Sequence, residues 1–210
     1  MSVRARKFRL HPGVNLGSTD PAAHELAEEK LFGFWIFLMS DVIVFALMFA
    51  TYAIMTSHVV DGPTGRQIFD LWSVLGQTVV LLFSSFTIGL ASLSMKYGHT
   101  QRKFLGWGLI TLFLGLIFLA LEFRDFAAMI AADAGPERSG FLSAFWGLVP
   151  LHGLHVSIAC LWLTVMLAQN LRFGFPPFVK TRFLRLALFW HFLDLVWIGI
   201  FSFVYLQAFV

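Results

Sequence analysis

The sequence predicts an all-α integral membrane protein, a bundle of five transmembrane helices, and three observations lead there. Of 210 residues, 58% are hydrophobic and only 13% are charged, against about a quarter charged in ordinary soluble domains. Five apolar stretches fill nearly everything after residue 30, each at least the ~20 residues a helix needs to cross the hydrocarbon core. Inside those stretches lie three carboxylates, Asp41, Glu122 and Asp194, and three histidines, His152, His155 and His191, which a lipid-facing chain would not tolerate.

The stretches are 31–55, 72–95, 104–130, 141–171 and 184–210. Strands with open edges are excluded in lipid, because unpaired backbone groups find no water there, and these runs are too long and too uniformly apolar for barrel strands. The first stretch begins after Lys30, the second stops at Lys96, and the third starts beyond Arg102 and Lys103. The fourth follows Arg138 and ends at Arg172, and the fifth follows Lys180 and Arg182. The connections come out at no more than about 20 residues, too short for a catalytic domain outside the bilayer.

Two regions follow: a polar cytoplasmic tail, 1–30, and a membrane domain, 31–210. The tail has no apolar core of the kind a cleavable signal peptide carries, so the first span is expected to act as its own insertion signal. Rich in polar residues, with Pro12 and Pro21, it reads as weakly ordered, and Glu25, Glu28 and Glu29 ahead of Lys30 suit a short helical lead-in at the membrane surface. Basic residues fall unevenly. Arg4, Arg6, Lys7, Arg9, Lys30, Lys96, Arg102, Lys103, Arg172, Lys180, Arg182 and Arg185 lie on one side, against Arg66, Arg124 and Arg138 on the other. The positive-inside rule then places the N-terminus in the cytoplasm and the C-terminus outside. The net charge of +3 reports this topology. Nucleic acid is not an expected partner, since the basic residues are dispersed over loops. The single cysteine, Cys160, reads as a small core residue.

Asp41 sits about ten residues into the first stretch, roughly 15 Å deep at 1.5 Å per residue. His152 and His155 share a face of the fourth span, three residues apart, and His191 and Asp194 repeat the spacing on the fifth. Glu122 lies toward the end of the third span, where the headgroups are near. Imidazoles and carboxyls are natural mutual partners. Three readings compete: metal or haem ligation, for which two histidines on one helix and a third elsewhere is a weak pattern; a proton relay; and helix pinning by buried hydrogen bonds without turnover. Small residues one turn apart, Ser85 with Gly89 and Thr111 with Gly115, would let helices approach closely.

Four segments carry a family likeness: Phe32 to Asp41 (FGFWIFLMSD), Arg138 to Phe145 (RSGFLSAF), His152 to Val156 (HGLHV) and Phe189 to Asp194 (FWHFLD). In that order and spacing they resemble subunit III of haem-copper terminal oxidases, and within that family the likeness is greatest to the cytochrome bo type of ubiquinol oxidase. It covers residues 30 to 210. Cytochrome c oxidase versions usually have seven spans and a Glu where this chain has Asp41, so five spans and Asp resemble the short quinol-oxidase form. The resemblance implies an accessory subunit with no catalytic, cofactor-binding or metal-binding residues of its own, with haem and copper in partner subunit I. It implies packing against that subunit and others, bound phospholipid, and support of assembly and sustained proton uptake. The alternatives are the equivalent subunit of a cytochrome c oxidase or nitric oxide reductase complex, or a self-contained proton-conducting or haem-binding protein.

Overall fold

The computed structural model describes residues 21–56, 65–96 and 101–209. Those residues form helices α1 (Pro21–Met55), a single turn α2 (Gly65–Ile68), α3 (Leu71–Lys96), α4 (Gln101–Ala131), α5 (Gly140–Phe173) and α6 (Pro177–Ile200). The last helix runs on through a π-helical turn, Phe201–Leu206, and a 3₁₀ turn, Gln207–Phe209. Five helices are long and apolar enough to cross a membrane, and no strand occurs among the described residues. Residues 1–20, which include most of the expected tail and its first four basic residues, lie outside the described residues, as does Gly98.

Residues 21–30 are already helical, in line with the short lead-in expected ahead of Lys30, whereas α6 begins seven residues before the apolar run that marks it in the sequence. The reason for the early start of α6 is visible in burial. Val179, Phe183 and Leu186 are fully buried at helical spacing while Arg182 points outward, so an inward-facing stripe continues under charges that lower the local hydropathy. The connection before α6 is only residues 174–176.

Side-chain chemistry sets the other ends. Ser139 is extended, and its Oγ accepts from Leu142 N at 3.2 Å, capping α5. Asp133 ends α4 in the left-handed region at φ 56. Its N–H reaches Ile130 O at 3.1 Å and the next N–H, of Ala134, reaches Met129 O at 3.0 Å, the paired bonds of a Schellman stop. Asp70 begins α3, with Oδ1 accepting from Trp72 N at 3.1 Å.

α5 and α6 form the centre, α3 packs on α4 and α6, and α1 lies against α5 and α6 as the least buried of the spans. Large apolar side chains such as Phe32, Leu47, Phe86, Phe113 and Leu195 stay exposed, as surfaces meeting lipid or other membrane helices do. An aromatic cluster of Tyr52, Phe69, Phe141, Phe145 and Tyr205 closes the end of the bundle that carries α2. Close approach inside depends on Gly115, where a Cβ would stand 2.9 Å from Cys160 Sγ and 3.0 Å from the Trp190 ring. Thr111, one turn earlier, bonds Thr87 across to α3 at 2.8 Å. The Ser85 and Gly89 pair does not play that part within this chain, since a Cβ at Gly89 would meet nothing within 4 Å.

Candidate functional site

The intramembrane acids and histidines do not gather into one cluster. They separate into four places, each set by different helix contacts. Between α1 and α5, Asp41 Oδ2 stands 4.0 Å from His155 Nε2, with both side chains mostly buried. That is beyond hydrogen-bond length. His155 Nδ1 lies 2.7 Å from the carbonyl of Leu151. A carbonyl can only accept, so Nδ1 carries the proton and Nε2 is the nitrogen turned to Asp41.

Between α3 and α6, Ser85 Oγ is 2.7 Å from His191 Nδ1, and Asp194 Oδ2 lies 4.0 Å from the same nitrogen. Asp194 is buried, whereas His191 is half exposed on the outer face of the bundle. His152 stands apart. It is fully buried and stacked on Trp197, with ring centres 5.3 Å apart, while Phe118 and Phe45 meet its ring at steep angles. Neither ring nitrogen meets a hydrogen-bond partner among the described residues, so it packs as an aromatic core residue.

Glu122 is buried against α5, where its Oε2 occupies the space a side chain at Gly153 would need, 2.5 Å from an ideal Cβ. At 3% exposure it is enclosed by protein.

Sequence reasoning missed the bonds that join the helices most directly. Trp190 Nε1 donates to Ser84 Oγ and Trp197 Nε1 to Thr78 Oγ1, each at 3.0 Å, tying α6 to α3 at two levels. Near the α2 end, Asp125 on α4 accepts from Ser73 Oγ and Gln77 Nε2 of α3, both at 2.7 Å, and pairs with Arg124 at 3.0 Å. Arg124 also donates to Ser73 Oγ. The one available signal was the seven-residue spacing of two tryptophans around His191 and Asp194, two helical turns on one face.

As to what this could bind, no group of three His, Cys, Asp or Glu among the described residues is placed to hold a metal ion. The arrangement is that of a multi-pass membrane protein whose polar groups are divided among separate helix contacts. The chain belongs to the cytochrome c oxidase subunit III family, whose sequence profile matches residues 16–209. It is 43% identical over 208 residues, 99% of each chain, to the cytochrome bo(3) ubiquinol oxidase subunit 3 of Pseudomonas aeruginosa. It is 45% identical over 183 residues to the protein of that name in Pseudomonas putida, covering 87% of this chain and 88% of that one. To the quinol oxidase subunit 3 of Bacillus subtilis it is 36% identical over 184 residues, 88% of this chain and 90% of the other.

Proposed function

We propose that the chain is the accessory third subunit of a proton-pumping quinol oxidase of the cytochrome bo type. In this reading oxygen is reduced to water at haem and copper in partner subunit I. The present chain packs beside that subunit and other membrane subunits, carries phospholipid on its exposed surface, and supports assembly and sustained proton uptake. It resides in the bacterial inner membrane with its N-terminus in the cytoplasm and its C-terminus in the periplasm. Residues 1–30 then serve as a cytoplasmic lead-in to the membrane domain.

The observation that carries the reading is the end-to-end likeness to a ubiquinol oxidase subunit 3, at 43% identity over 99% of both chains. The geometry supports it in two ways. Ser84, Thr78 and Asp125 bond across to neighbouring helices, and a broad apolar surface on α1, α3 and α4 is left for partners and lipid. The basic residues, twelve on one side against three on the other, support the orientation.

Complex purified without this chain tests the role. It should keep its haem spectrum, begin oxygen consumption at near the parental rate and then lose activity over repeated turnovers. Immediate loss of haem would show a cofactor role instead, and unchanged long-term activity would leave the proposed support function without content.

A further inference from the structure

A cavity of roughly 70 Å³ opens at the α2 end between the start of α3, the last turns of α4 and the π-helical turn. Its polar lining is Asp70, Gln77, Glu122, Asp125 and Tyr205. Four of these have visible obligations or a place at the surface. Asp125 is saturated by Ser73, Gln77 and Arg124, Gln77 has committed its amide nitrogen, Asp70 is exposed at the mouth, and Tyr205 is anchored by an edge-on contact with Phe69. Glu122 differs. It is 3% exposed, and its Oε1 meets no hydrogen-bond partner among the described residues.

A buried carboxyl oxygen without a partner is costly, and the nearby cation does not relieve it, because Arg124 faces Asp125 and Ser73. Water can. A molecule occupies about 30 Å³ in the liquid and needs two to four polar partners; this cavity has room for about two and offers the Glu122 carboxyl, the Tyr205 hydroxyl and the Gln77 amide oxygen. We infer that this chamber is a water-binding site that joins Glu122 to the aqueous phase at the α2 end, making Glu122 an exchangeable proton-holding group. The carboxyl O–H passes its proton to the adjacent water, and the water chain returns one from the mouth, between Asp70 and the exposed Ala128. The site is separate from Asp41 with His155 and from Ser85, His191 and Asp194, and it stands whether or not the oxidase assignment holds.

Infrared spectroscopy of membranes or purified complex containing the full chain tests it. Glu122→Gln should remove one carboxylic C=O band. In the parent that band should shift on transfer to D₂O on the timescale of exposed amides. Ala128→Trp, at the exposed mouth, should slow the shift at least tenfold while leaving the band present. If Glu122→Gln does not assemble, Glu122→Asp supplies the assignment through a displaced band. A band that stays unshifted after prolonged D₂O exposure, an exchange rate unaltered by Ala128→Trp, or the absence of any carboxylic band assignable to Glu122 would each overturn the inference.

Discussion

Gly115→Ala is the sharpest test of how α4, α5 and α6 are held together. The added Cβ would lie 2.9 Å from Cys160 Sγ and 3.0 Å from the Trp190 ring, where ordinary contact is 3.4–4 Å. The helices must therefore open by about half an ångström, or two side chains must leave their rotamers, and overpacking of that kind costs about 1–3 kcal/mol. Trp190 cannot swing away freely because its Nε1 is bonded to Ser84. Replacing glycine by alanine also gains roughly 0.5–1 kcal/mol of helix preference, so the comparison needs a matched control. Gly89→Ala provides it, with nothing within 4 Å of its Cβ. Unfolding of the chain in mixed micelles by SDS, followed by tryptophan fluorescence, should place Gly115→Ala about 1–3 kcal/mol below Gly89→Ala. Adding Cys160→Ala removes the nearer obstacle and should recover part of the difference, a coupling of more than about 0.5 kcal/mol. Equal stability of the two alanine variants would refute the close packing argued for this crossing, and strict additivity with Cys160→Ala would refute the contact named for it.

Three further outcomes are expected. Asp41→Asn should leave assembly intact, since the amide keeps the size and polarity of the group that faces His155 at 4.0 Å, whereas Asp41→Leu should weaken it by up to about 1.7 kcal/mol, the upper end for interhelical polar contacts in membranes; an Asp41→Leu complex that assembles and turns over like the parent ends the pinning role. Trp197→Phe and Thr78→Val should each destabilise the chain by a similar amount, and the double variant should cost little more than either single one; independent effects in that cycle would mean the 3.0 Å bond contributes nothing. A periplasm-dependent reporter fused after Val210 should be active and one near Gly98 silent, the reverse pattern showing the orientation to be wrong.

The spans were legible because hydrocarbon thickness imposes a length on any run that crosses it, and that length survives in the sequence as unbroken hydropathy. Helix ends were not, because α6 starts beneath Lys180 and Arg182, where only the buried stripe of Val179, Phe183 and Leu186 betrays it. Among the polar residues, depth could be read but partnership could not. Asp41 meets His155 only through the packing of α1 on α5, and His152, three residues away on the same helix, meets no polar group at all among the described residues. Ser84, Thr78 and Ser73 gave no signal, since hydroxyl side chains in a membrane helix usually satisfy themselves on their own backbone, as Thr51 does with Leu47 O. Gly115 and Ser85 show the same limit for small residues: one receives a neighbouring helix, and the other turns its hydroxyl to an imidazole.

The π-helical turn gives chain length a meaning of its own. Its bonds skip one more residue than those of an α-helix, and within it the consecutive side chains of Val204 and Tyr205 are both buried. One of them meets the Phe69 ring edge-on, while the backbone carbonyl of the other receives the Tyr52 hydroxyl at 3.4 Å. Loss of a single residue between Phe201 and Leu206 would let the segment relax to the tighter coil and swing the Tyr205 phenol away from Phe69, without altering composition or hydropathy. A deletion here is therefore a different kind of change from any substitution: it resets the rotation of everything after it, and the number of residues in the turn is as much a part of the encoded information as their identities.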